Sequence, residues 1–207
     1  MRFDMEAVGP AIGYKLLSST VTPRPIAWIT TLGLDGVVNA APYSFFNAMG
    51  PNPPTVAIGM QRDPVRGWKD SPRNIMDTGE FVVNLVPEPL AEAMNVTCID
   101  APPAVSEIEL AGLETAACDH IRPPRIAAAP VSFECVNLAS VVTGPQQVVV
   151  IGRVIAVHVR DEFVLNVERG HIDTAALGLI GRMGGSGIYA RTHDTFQMDR
   201  PVWEDRG

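Results

Sequence analysis

NAAPYSFFNAMGPNPP, residues 39–54, runs a strand into a polar loop that is punctuated by glycine and proline and carries two adjacent aromatics. Phe45 and Phe46 offer planar apolar surface, Ser44 and Asn47 offer a hydroxyl and an amide, and the end of a strand leaves backbone N–H groups free to meet phosphate or ring oxygens. Neighbours on an extended strand point to opposite faces, so one phenylalanine can meet a ligand while the other belongs to the core. Asn47 has the same double reading, as a ligand contact or as a turn residue bonding its own backbone. Downstream, Arg62 and the run Trp68-Lys69-Asp70-Ser71-Pro72 add positive charge and a helix start. The two segments together read as a site for a flat, phosphate-bearing, nucleotide-like cofactor of the flavin type.

Working outward, β signals dominate. Residues 25–31 and 37–42 flank Asp35-Gly36, a pair that predicts an antiparallel hairpin. Further strands are expected at 54–60, 80–86, 131–142 and 147–160, the last two rich in Val and Ile and separated by Thr143-Gly144-Pro145. Such a set can close into a barrel and leave no open edge. Helices are few and peripheral. One is predicted to start at Asp70 or Ser71 as cap, with Pro72 in its first turn, and to end at Asp77-Thr78-Gly79; a second covers Pro87 to about Val96. Residues 100–130, with Pro102-Pro103 and Arg122-Pro123-Pro124-Arg125, read as an irregular excursion from the barrel within a single domain spanning 1–207.

Composition narrows the function classes. A chain of 207 residues with 46% hydrophobic and 19% charged content can bury a substantial core. A formal charge of -7 without a basic run argues against nucleic acid and against an anionic membrane surface. No apolar run has the length that spans a bilayer and the first residues lack a secretion-signal layout, so a cytoplasmic protein is expected. Cys98, Cys118 and Cys135 are an odd, scattered set that reads as reduced thiols. His120, His158, His171 and His193 show no close metal-ligand spacing, and no metal is expected. His171 is weighed as a proton donor, Arg24, its side chain aimed by two flanking prolines, as a site residue or as a salt-bridge residue at a dimer seam, and Trp28 as core. Gly184-Gly185-Ser186-Gly187 lacks the strand-to-helix setting of a dinucleotide loop, and Ser186 has no His and Asp at the spacing of a hydrolase triad.

Several ordered segments share one resemblance: Thr22-Pro23-Arg24-Pro25-Ile26-Ala27-Trp28, Ala41-Pro42-Tyr43-Ser44-Phe45-Phe46-Asn47-Ala48, Lys69-Asp70-Ser71 with Asn74, Thr78-Gly79-Glu80-Phe81-Val82-Val83-Asn84, and Gly181-Arg182-Met183-Gly184-Gly185 with Tyr189. Over nearly its whole length the chain resembles the flavin reductase-like family with the FMN-binding split-barrel fold. That resemblance implies a mainly β protein, a six-stranded antiparallel barrel with a few peripheral helices, forming a homodimer with one FMN near each subunit boundary. Carried over by position, Ser44, Phe45, Phe46, Asn47 and Ala48 line the isoalloxazine and ribityl portions, and Lys69, Asp70 and Ser71 lie near the phosphate. A phosphate there would gain from the helix macrodipole and from the lysine charge, whereas Asp70 suits a cap better than an anion ligand. Ser71 stands where the family more often has threonine.

The expected activity is that of an oxidoreductase taking hydride from NADH or NADPH onto FMN and passing electrons to free flavin, oxygen or an electron-accepting partner protein. Hydride transfer needs alignment and a supported charge, which agrees with a sequence that shows no acid-base dyad. Two alternatives stand beside it: a flavin-bearing electron carrier or storage protein without nicotinamide turnover, and a barrel holding haem or another ligand.

Overall fold

The computed structural model describes residues 1–102 and 105–203, so Pro103 of the Pro102-Pro103 pair lies outside the described residues. The chain opens with helix α1 (Pro10–Thr20), then strands β1 (Arg24–Pro25), β2 (Ala27–Leu32), β3 (Val38–Tyr43), β4 (Phe46–Pro51), β5 (Pro54–Asp63) and β6 (Gly67–Trp68). Helix α2 (Asp70–Thr78), strand β7 (Glu80–Leu85) and helices α3 (Ala91–Val96) and α4 (Glu107–Leu110) follow. Next come β8 (Thr115–Ala116), β9 (Arg125–Ile126) and the long pair β10 (Val131–Gly144) and β11 (Gln147–Val159). The short strands β12 (Val164–Asn166), β13 (His171–Ile172), β14 (Ile180–Arg182) and β15 (Tyr189–Arg191) complete the described elements. No described helix is long and apolar enough to cross a membrane.

The main sheet is antiparallel and eight-stranded, in the order β3-β2-β7-β10-β11-β5-β4 with β6 paired to β5. It is larger than six strands because β4 and β6 join it. The stretch after Tyr43 was expected to be loop, yet Phe46–Pro51 is a strand held by β5, with Phe46 opposite Ile58 and Asn47 opposite Ala57. Its Gly, Pro, Asn and Met content carries little β preference of its own, so this strand exists through its pairing. β3 and β4 are sequence neighbours, separated only by Ser44 and Phe45, but they lie at opposite ends of the strand order. Two residues span well under 10 Å even when extended. The sheet must therefore curl until its two ends meet, and Ser44-Phe45 is the seam at which the barrel closes.

Side chains alternate across this wall as the pleat requires. Ala27 and Ile29 of β2 point inward, joining Val56, Ile58 and Met60 of β5, Phe81 and Val83 of β7, and Val148 and Val150 of β11, with Ile75 of α2 plugging one end. Ile26 and Trp28 point outward into a second core with Val86, Met94 of α3, Ile108 of α4, Ile126 of β9 and Ile180 of β14. The excursion after residue 100 is thus the cover on the outer face of the sheet. Trp28 is fully buried and donates its indole N–H to Thr97 Oγ1 at 2.9 Å, which anchors the end of α3.

The Asp35-Gly36 hairpin forms as expected, with Gly36 at φ 84. α2 begins one residue earlier than a side-chain cap would set it: Lys69 is the N-cap, and neither Asp70 nor Ser71 caps through its side chain. It ends at Gly79, whose φ of 75 suits a residue without Cβ. The second helix splits into a 3-10 turn, Glu88–Leu90, followed by α3.

Candidate functional site

A cavity of about 300 Å³ opens at the seam. One wall is Ser44 and Phe45; the others come from the end of β5, the hairpin at Arg66 to Trp68, the first turn of α2 and residues 97–101. Phe45 crosses β5 at Gly59, whose N–H donates to the Phe45 carbonyl at 2.7 Å. A Cβ on residue 59 would stand 3.0 Å from the Phe45 Cβ, so glycine is what lets the two chains approach. The Phe45 ring meets Tyr14 of α1 edge-on, centroids 6.0 Å apart at 71°.

Arg24 sets this wall from behind. It is buried, its guanidinium donates to the carbonyls of Ser18, Val21 and Met183, and its Nε donates to Ser44 Oγ at 3.3 Å. Its charge also sits 5.8 Å over the Phe45 ring. Among the described residues, the Arg24 guanidinium has these carbonyl and hydroxyl oxygens as its hydrogen-bond partners. Arg24 thereby joins α1, β1, the seam and the start of the glycine-rich tail.

The floor is a buried polar net. Ser71 Oγ donates to Asn39 Oδ1 at 2.6 Å, Asn39 Nδ2 donates to Glu107 Oε2 at 2.9 Å, and the Ala40 N–H reaches the same carboxylate oxygen at 3.2 Å. Burial raises the Glu107 pKa, against the pull of the Ala40 and Asn39 donors. Tyr43 lies beside this net, and burial pushes its pKa up to about 12; the Ser71 hydroxyl opposes the rise, while the charges of Asp70 and Glu107 add to it.

Three cations and three carboxylates meet at the mouth: Arg66, Lys69 and Arg73 with Asp63, Asp70 and Asp100. Lys69 Nζ holds Asp100 Oδ1 at 2.8 Å, and Arg66 reaches that same oxygen at 3.9 Å. The turn carrying Arg66 is tied by its own N–H, and that of Val65, to Asp63 Oδ1. Arg73 is paired with Asp70 and half-buried. Two cations from different segments, converging on one carboxylate beside the first turn of a nine-residue helix, form an anion-binding arrangement.

Of the residues singled out from sequence, Ser44, Phe45, Lys69, Asp70 and Ser71 line the cavity together. Phe46 packs against the barrel core, Asn47 Oδ1 accepts the Ala48 N–H at 2.8 Å, and Ala48 is exposed; this trio stands apart from the cavity lining. The opposite-face rule for adjacent aromatics holds, with Phe45 at the cavity and Phe46 at the core. His171 is an exposed residue of β13 away from the cavity. Sequence reasoning missed Tyr14, Tyr43, Arg66, Asp100 and Glu107 as lining residues. Arg66 had a readable signal, since Asp63-Pro64-Val65-Arg66-Gly67 is turn chemistry next to a cation. Glu107 had none, because its place depends on the excursion folding back over the sheet.

Comparison with known proteins gives one consistent picture. The model of the flavin reductase like domain matches residues 18–176. An uncharacterized protein of Deinococcus radiodurans is 42% identical over 202 residues, covering 96% of this chain and 88% of that one. The structure of 2-nitrobenzoate 2-nitroreductase from Pseudomonas fluorescens superposes with a TM-score of 0.89 at 33% identity, covering 98% of each chain. That of nitrilotriacetate monooxygenase component B from Bacillus cereus also gives 0.89, at 34% identity over 96% of this chain and 98% of the other.

Proposed function

Since this chain belongs to the flavin reductase-like family, we propose that it binds FMN in the seam cavity and acts as an NAD(P)H-dependent flavin oxidoreductase in the cytoplasm. The observation that carries this reading is the convergence of Lys69 and Arg66 on one carboxylate at the mouth of a cavity with an aromatic wall and a polar floor. Those three surfaces suit the phosphate, the ring and the ribityl chain of a single ligand. The bound flavin would supply hydride acceptance from a reduced nicotinamide and onward electron transfer.

The chain's own residues bind and orient. Lys69 and Arg66 would take the phosphate in place of Asp100. Phe45, steadied by Tyr14 and Arg24, would present its ring to the isoalloxazine. Ser44 and the backbone of the seam offer hydrogen bonds toward ring heteroatoms, while Asp70 and Ser71 order the first turn of α2. In the resemblance to the family, Phe46, Asn47 and Ala48 also serve the flavin; here Phe46 packs into the barrel, while Asn47 and Ala48 are exposed, where a second copy would bring its own surface. A homodimer accords with the exposed apolar side chains on the adjoining strands: Met49 of β4, Leu138, Val141 and Val142 of β10, and Val157 of β11.

The deciding experiment is anaerobic mixing of FMN-loaded protein with NADH, and separately with NADPH, while the visible flavin absorption is followed. Bleaching within the mixing series supports the oxidoreductase. A flavin that binds yet stays oxidised until a separate reductase is added makes the protein a carrier, and a protein that takes up no FMN ends the proposal.

A further inference from the structure

Away from the cavity lining, Cys118, Glu134 and His158 bring a thiol, a carboxylate and an imidazole together with their ligand atoms within 4.8 Å of one another. They come from three segments: the loop between β8 and β9, β10 and β11. We propose that these residues form a binding site for a thiophilic divalent transition-metal ion of the zinc class, which clasps the β8–β9 loop to the long strand pair.

The carboxylate is already held by further partners, as metal ligands commonly are. Glu134 is fully buried, and its two oxygens separately accept the N–H groups of Asp119 and His120, each at 2.8 Å. His158 Nε2 lies 2.6 Å from Glu134 Oε1, a pairing bridged by a single proton whose place a cation can take. Cys118 is half-buried and a free thiol. The charge balance also favours a divalent ion. Loss of the thiol proton on binding would leave the Cys118 thiolate and the Glu134 carboxylate to match the two charges of one divalent cation. Sulfur and nitrogen donors beside a single carboxylate select zinc, cobalt or cadmium over magnesium and calcium, which require oxygen donors. Three protein ligands leave a fourth position for water, and the partial exposure of His158 gives the ion a way in.

The consequence is local. The β8–β9 hairpin carries Ile126 into the outer core, so fixing its loop to Glu134 and His158 would secure the cover of the sheet. This site is independent of the flavin reading. Its ligands lie 16 and 24 residues apart in sequence (118 to 134, 134 to 158), so no ligand-spacing motif announces it.

The test is cobalt titration of the full chain after dialysis against chelator, read in the red region where oxidised flavin does not absorb. The expected result is a saturable band of tetrahedral intensity that zinc displaces, with a zinc-dependent rise in thermal midpoint that magnesium does not reproduce. Cys118→Ser should abolish the band, and His158→Gln, at a half-buried position that leaves Glu134 in place, should weaken cobalt binding by at least roughly tenfold. A wild-type protein with no such band and no zinc-dependent midpoint overturns the proposal. So does a response that both variants retain in full.

Discussion

Asp100 occupies the position of an anion on Lys69 and Arg66, so it competes with any phosphate that binds there. Both partners of the Lys69–Asp100 pair are more than a third exposed, which limits the pair to about 0–1 kcal/mol. Replacing Asp100 with Asn should therefore tighten FMN binding by up to roughly fivefold, the equivalent of about 1 kcal/mol. Lys69→Ala should weaken it by roughly 1–3 kcal/mol, the range for a charge-assisted contact. Riboflavin, which lacks the phosphate, is the control for both. Equal effects on the two flavins, read by equilibrium dialysis, would remove Lys69 and Asp100 from the phosphate end. Tyr43 gives a second residue-level prediction. With its pKa raised from 10.0 to about 12, the folded state keeps a proton that the unfolded state releases. Stability contributed by that proton is complete below pH ~10 and falls as pH rises toward ~12, by about 2–3 kcal/mol in all. An ultraviolet titration should show a tyrosine step near pH 12, and Tyr43→Phe should delete it.

Elements differ in how much of their conformation they carry themselves. The β2–β3 hairpin was legible because Asp35-Gly36 specifies a tight turn between two strand-like runs, and β10–β11 because Val and Ile runs flank Thr143-Gly144-Pro145. β4 was not legible, since nothing in Phe46-Asn47-Ala48-Met49-Gly50-Pro51 favours a strand until β5 pairs with it. Helix α1 was passed over for the opposite reason: only Gly13 and Ser18 along it are buried, so it shows no apolar stripe to find, although Pro10 stands at its first turn. One element-level prediction concerns β11. Its Gly152 faces the Phe81 ring, and a Cβ there would fall 2.4 Å from Phe81 Cζ. Phe81 is fully buried in the barrel interior, so its ring could shift only against its core neighbours. Gly152→Ala should cost about 1–3 kcal/mol of stability through overpacking. A guanidinium titration should show a lowered midpoint at unchanged slope, and an unchanged midpoint would mean that the ring moves freely.

As a whole, the molecule is a curled sheet with a cavity at the closure and exposed apolar side chains on its two longest strands. If those strands form the contact between two copies, sedimentation should give a dimer at micromolar concentration, and Val142→Asp, at a side chain 60% exposed in the single chain, should shift it toward monomer. A wild-type monomer would leave the seam cavity unshared. Periodicity and turn chemistry in the amino-acid order determined the strands with strong local preference and the helix ending at Gly79, because these follow from neighbours close along the chain. Tertiary structure alone decided that Phe46–Pro51 pairs with β5 as a strand, that Asp100 and Glu107 line the cavity, and that Cys118, Glu134 and His158 converge. Each of those contacts joins segments whose encounter depends on how the sheet bends and on what covers it, and neither is encoded within any one stretch of residues.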